Sequence, residues 1–146
     1  MRHLLAPIVL AAALAGCGQP KQLFVDQAWV RLAAVPGSPA AAYFRLNGGP
    51  TDNVLLTVTT EVAIKSELHE TASTGGAMTM RPIQRVALPA DSELSFAPGG
   101  KHVMLFNVNP GIKAGSRVPL VFTFVDGLRI EYNARAIAAG DPPPEF

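Results

Sequence analysis

The chain holds one cysteine, Cys17, among its 146 residues. Any domain that follows it therefore has no disulfide of its own and no thiolate to offer a metal, which leaves nitrogen, thioether and carboxylate donors. A blue-copper electron-transfer site is excluded for the same reason, since it needs a cysteine thiolate beside the metal. Charge of one sign is also missing: 12 basic side chains face 11 acidic ones. Aromatic residues make up only 7% of the chain. With no basic stripe and no paired aromatic platform, nucleic acid is excluded as a partner. Enzyme chemistry has little to build on. Asp26, Asp52, Asp91 and Asp126 are scattered among turn signals, and no serine stands in a nucleophile elbow or a Ser-x-x-Lys setting.

The one long apolar run lies at the start. Residues 1–16, MRHLLAPIVLAAALAG, join a basic start at Arg2 to an apolar stretch of signal-peptide length, too short to span a bilayer as a helix. Cys17 follows directly, and Leu14-Ala15-Gly16-Cys17 resembles the bacterial lipoprotein processing box. That resemblance implies cleavage before Cys17 and acylation of both its thiol and its new amino terminus. Two lipidation events can anchor a soluble domain where one would be marginal. Gly18, in place of an acidic residue, implies by the same resemblance an outer-membrane destination facing the periplasm. Cleavage removes Arg2, leaving 130 residues with 11 basic and 11 acidic side chains, enough for one domain with its own core.

Residues 17–22 read as the lipidated start and a tether, 23–138 as a β domain, and 139–146, GDPPPEF with its preceding alanine-rich edge, as a disordered tail, because consecutive prolines cannot join a sheet ladder. Within the domain, LFVDQAWVRL, AAYFRL, VLLTVTT, VAIKSELHET, MTMRPIQRVALPA, SELSFAP, HVMLFNV, RVPLVFTFV and LRIEYNARAI are rich in branched and aromatic residues and partly alternate. Trp29 is expected to anchor the core. Glycine and proline punctuate the runs, and Asp126-Gly127 between FTFV and LRIEY is the strongest hairpin signal. KSELHE and EYNARAIAA hint at helix but are outweighed by their surroundings. Many short strands at this spacing predict an all-β sandwich or barrel.

Histidine and methionine are scarce, and their placement is the main functional signal. Outside the first three residues, every one falls in a 36-residue segment, as His69, Met78, Met80, His102 and Met104. If HVMLFNV is a strand, His102 and Met104 project from the same face. Imidazole and thioether together suit monovalent copper, and such a set survives oxidation that would consume cysteine. Methionines also fill irregular core gaps, so core packing with satisfied histidines is the alternative. Met78 is open between direct coordination, a supporting thioether and packing. Leu105, Phe106 and Pro82 are expected to form a partly apolar rim around the site.

The spacing His69, ten residues, Met80, twenty-one residues, His102, one residue, Met104 resembles the signature of the periplasmic copper chaperones called PCuAC. QAWVR at 27–31, AAAYFRL at 40–46 and AGSRVPLVFTFVDG at 114–127 resemble that family's opening strands and closing hairpin, so the likeness covers about residues 24–137. It implies a cupredoxin-like Greek-key β-sandwich or barrel that holds Cu(I) through His69, Met80, His102 and Met104, without turnover. It further implies copper delivery to the dinuclear centre of cytochrome c oxidase subunit II, with a Sco-type thiol protein as a partner. Two features depart from relatives. The loop ETASTGGA adds no histidine or methionine, and the tail lacks the His/Met-rich extension associated with Cu(II), so one Cu(I) per monomer is expected. A copper-storage or buffering lipoprotein, or a structural β-sandwich interaction module, are the competing functions.

Overall fold

The computed structural model describes residues 18–146, so Cys17 and the segment before it that reads as a processing signal lie outside the described residues. Among the described residues ten strands account for the regular structure: β1 (Phe24–Arg31), β2 (Ala40–Asn47), β3 (Asn53–Thr59), β4 (Ala63–Thr74), β5 (Ala77–Pro82), β6 (Val86–Leu88), β7 (Glu93–Phe96), β8 (Lys101–Val108), β9 (Arg117–Phe124) and β10 (Arg129–Ile137). They follow one hydrogen-bonded path, β5-β4-β8-β2-β1-β10-β9-β3-β6, with β7 pairing the other end of β2. Among the described residues the strand pairings are antiparallel except β1 with β10. Ser66 on β4 donates to the Val58 carbonyl on β3 at 2.6 Å, bringing distant parts of the path together. The expected all-β fold is what forms.

Alternation builds the core. In β9, Val118, Leu120, Phe122 and Phe124 are buried while the residues between them are not. From β2, Phe44 stacks on Phe96 at 4.3 Å and meets Phe122 edge-on at 4.7 Å. The two segments with a helical hint are strands as well. KSELHE lies in β4, where Leu68 turns into the core while Glu67 and His69 turn away, a period of two that only a strand supports.

Trp29 departs from expectation. It is buried, but it packs with Tyr43 and Ile137 in a small cluster apart from the main core. The cause is a β-bulge in β1. Asp26 pairs with Arg45 but Trp29 pairs with Tyr43, so one extra residue is accommodated, and Gln27 takes a positive φ of 52°. An extra residue reverses the facing of everything after it. Val25 before the bulge and Ala28 and Val30 after it face the core, and Trp29 is sent to the opposite face.

Two hairpins matter for the site. Thr74 pairs with Ala77 around Gly75 and Gly76, whose φ angles of 58° and 83° are those of a tight primed turn, so β5 folds straight back along β4. The Asp126-Gly127 hairpin forms as expected, with Gly127 at φ 88° and Asp126 Oδ1 accepting the Leu128 N–H at 3.0 Å. The C-terminal residues carry no strand, consistent with their prolines. Asp141 accepts from Ala138 N–H at 3.0 Å and from Arg31 at 3.2 Å, and Pro143, Pro144 and Phe146 share a groove with Trp29.

Candidate metal centre

Strands β4 and β8 run side by side in the register Lys65–Phe106, Glu67–Met104, His69–His102. Residues directly opposite each other share a face, as do residues two apart on one strand. These three successive pairs therefore present His69, His102, Met104 and Glu67 on a single face, away from the core. Across β4 from β8, Thr71 pairs with Met80 and Ser73 with Met78, which places both methionines on that face too.

The four matched positions are not equally close. His69 and His102 stand directly opposite, with ring centroids 5.9 Å apart. Met104 occupies the next position on the His102 strand. Met80 lies one pair along from His69 on the edge strand β5, every residue of which is exposed; Met80 is 62% exposed and Met78 is 66%. The site is thus half rigid and half open.

The hydrogen bonds of the imidazoles fix which nitrogen is available. His102 Nδ1 lies 3.0 Å from the Gly100 carbonyl oxygen, which can only accept, so the neutral ring carries its proton there and Nε2 keeps the lone pair. His69 Nε2 lies 2.9 Å from Glu67 Oε2. A carboxylate also accepts, so this ring is protonated at Nε2 and its lone pair is on Nδ1. Both lone-pair atoms, His69 Nδ1 and His102 Nε2, are buried without a hydrogen-bond partner. Unpaired buried nitrogen is uncommon in folded proteins and calls for a reason. Here two such nitrogens, each with its lone pair free, sit on rings that face each other across adjacent strands.

Among the described residues no group of three histidine, cysteine, aspartate or glutamate side chains converges on one point. On the same face, the thioethers of Met104 and Met80 are soft donors of the kind that pairs with imidazole around a soft ion.

Glu67 is held on two sides. Its hydrogen bond to His69, followed by its contact with Lys65, keeps its carboxyl below the usual glutamate range. Lys65 in turn lies 5.3 Å from the centre of the Phe106 ring. Of the expected apolar rim, Phe106 and Pro82 are on the site's face, Pro82 opposite His69. Leu105 is not: it is fully buried in the core, because adjacent strand residues point to opposite sides.

The β1 bulge supplies a wall that sequence patterning missed. Trp29 and Tyr43 have ring centroids 4.5 Å apart, and Tyr43 is 6.4 Å from His102. Burial pushes the Tyr43 hydroxyl above the ordinary phenol range. Glu67 was missed as well, although its position two residues before a histidine on an alternating strand is a readable signal.

Comparison with known proteins places this geometry in a family. Residues 23–136 match the LpqE-like lipoprotein family. A protein named as a lipoprotein, Lxx21020 of Leifsonia xyli subsp. xyli (strain CTCB07), is 36% identical over 104 residues, covering 70% of this chain and 62% of the relative's length. The chain thus spans under two thirds of that relative. Among solved structures, the copper-bound PCuAC domain of PmoF2 superposes with a TM-score of 0.67 at 18% identity, over 82% of this chain and 95% of that one. The Cu(I) form of DR1885 from Deinococcus radiodurans gives 0.57 at 26% identity, over 86% and 85%. The resemblance to PCuAC domains and their cupredoxin-like β fold holds in three dimensions. The chain belongs to the LpqE-like lipoprotein family, and its domain has the PCuAC fold.

Proposed function

We propose that this protein is an exported, lipid-anchored copper carrier that binds one Cu(I) through His69, His102, Met104 and Met80. The observation that carries the proposal is the pair of buried, unpartnered imidazole nitrogens on adjacent strands, with thioethers on the same face. Two nitrogens and two thioethers form a set that Cu(I) accepts and that magnesium and calcium, which take oxygen ligands, do not. Similarity to a copper-bound PCuAC domain and to Cu(I)-loaded DR1885 supports the choice of metal.

The imidazoles form the anchored half of the site, and the exposed β5 thioethers form the exchangeable half. Met80 completes the coordination. Met78, two residues away on the same face, is the alternative or handover thioether. The reading is carriage rather than turnover. Delivery runs to the dinuclear copper centre of cytochrome c oxidase subunit II, with a Sco-type thiol protein as the other partner. Cys17 holds the protein at the membrane, and Gly18 after it carries the reading of an outer-membrane, periplasm-facing address.

Competition of residues 18–146 against a high-affinity colorimetric Cu(I) chelator tests the first step. One tightly held copper, weakened by substitution of His69 or His102, is expected. A chain that leaves all copper with the chelator overturns the proposal and leaves a structural interaction module. Transfer of the bound copper to a soluble subunit II domain then separates a chaperone from a storage protein, and fractionation of a Cys17→Ala variant tests the anchor.

A further inference from the structure

We propose that Glu67 is a positioning residue that selects Nδ1 of His69, rather than Nε2, as the nitrogen that meets the metal. The inference rests on the copper-binding reading above and adds to it which atom binds and what sets it. It follows from three contacts. Glu67 Oε2 accepts a hydrogen bond from His69 Nε2–H at 2.9 Å, Glu67 Oε1 is engaged by Lys65, and His69 Nδ1 is left buried and free.

The geometry of the sheet explains why Glu67 is suited to this. Residues two apart on an extended strand project from one face about two rises apart, within reach of a carboxylate and an imidazole. Lys65 is two residues further back on the same strand, and its ammonium group pulls the other carboxylate oxygen away from the His pair. That second contact matters because Glu67 stands directly opposite Met104. A carboxylate free to swing toward Met104 would add a hard oxygen donor to a soft site, which favours harder divalent ions over Cu(I). Lys65 is kept in place by its position over Phe106, its own cross-strand partner.

The two histidines are therefore held by different means and offer different atoms. His102 is fixed by a backbone carbonyl and presents Nε2; His69 is fixed by a side chain and presents Nδ1. Only the second can be altered by substitution without touching a ligand. Metal-bound histidines commonly donate their other N–H to such a partner, and loss of the partner typically weakens metal binding roughly 10–100-fold.

The test reads the tautomer directly in the metal-free protein, by long-range proton–nitrogen NMR of the imidazoles, and Cu(I) affinity separately by chelator competition. Wild type is expected to show His69 protonated at Nε2. Glu67→Ala should lose that single tautomer and bind Cu(I) roughly 10–100-fold more weakly. Glu67→Gln, whose amide oxygen can still accept the Nε2 proton, should keep the tautomer and most of the affinity. A wild-type His69 protonated at Nδ1 overturns the proposal, as does a Glu67→Ala variant with unchanged tautomer and unchanged affinity. If Glu67→Ala fails to fold, the wild-type tautomer and the Glu67→Gln comparison still decide. Absence of Cu(I) binding by wild type would defeat the carrier reading, and the metal-free tautomer would remain readable, so the two failures are distinct.

Discussion

His102→Leu separates metal binding from stability. His102 is only 3% exposed, and its Nε2 is buried without a partner. Such an orphan costs about 1–3 kcal/mol in the metal-free protein. Leucine, of similar size, removes that cost. It also removes the Nδ1 bond to the Gly100 carbonyl, worth about 0.5–1.5 kcal/mol net, and the ring contacts with Tyr43 and His69, worth about 0.5–1.5 kcal/mol. The Gly100 carbonyl is not stranded, because it also accepts the Thr71 N–H at 3.1 Å. The gains and losses nearly cancel, so metal-free stability should stay within about 1 kcal/mol of wild type. Cu(I) affinity should fall at least about 100-fold, more than loss of an outlying partner would cost. Urea unfolding of metal-free residues 18–146 reads the first quantity and chelator competition the second. Destabilisation beyond about 2 kcal/mol would show that His102 is a structural residue with a satisfied ring. Unchanged copper affinity would remove it from the site.

Three further outcomes follow from the structure. Arg45 grips Asp26 with both carboxylate oxygens, at 2.6 and 2.8 Å, and Asn47 adds a third bond, holding the Asp26 carboxyl below its ordinary value of 3.8. A depressed pKa contributes stability that is complete above the unfolded value and disappears as pH falls through the folded one. Asp26→Asn should thus lose about 1 kcal/mol near neutrality, solvent screening included, and match wild type in strong acid when denaturant midpoints are followed against pH. Gly48→Ala should cost more than about 2 kcal/mol, since a Cβ there would stand 2.5 Å from the Pro89 carbonyl oxygen and 3.1 Å from the Ser92 nitrogen, both backbone atoms; a thermal melt within a degree of wild type would contradict this. Met80→Ala should change stability by less than about 0.5 kcal/mol at so exposed a position while weakening Cu(I) binding, and unaltered competition curves would leave Met78 as the β5 donor.

How far the sequence could be read depended on whether a feature was local. Strands with branched and aromatic alternation, such as Arg117–Phe124, and the Asp126-Gly127 turn depend on neighbours within a few residues, and they form as expected. Likewise the shared facing of His102 and Met104 needs only a strand of period two. The facing of Trp29 depended on one inserted residue at Gln27, whose cause lies in the pairing of β1 with β2 rather than in β1 itself. Reading Leu105 as part of a rim overlooked the same period that correctly paired His102 with Met104. The partnership of His69 with His102 is a matter of register between strands more than thirty residues apart, which composition does not encode. Only the resemblance of the spacing to a known family pointed to it.

The division of the candidate site between a central and an edge strand bears on how the proposed carrier would both hold and release a metal ion. Strand β8 is paired on both sides, by β4 and β2, so His102 and Met104 move only with the sheet. Strand β5 is terminal, paired to β4 alone, and buries none of its side chains. Edge strands with few buried contacts open locally at lower free energy than central ones. A donor on β5 can therefore leave the metal at little cost to the fold, whereas loss of the imidazoles would again expose two unpaired nitrogens to the interior. Under the proposed copper-binding reading, that asymmetry predicts an order of exchange in which an incoming ligand displaces the β5 thioether first and the histidines release last.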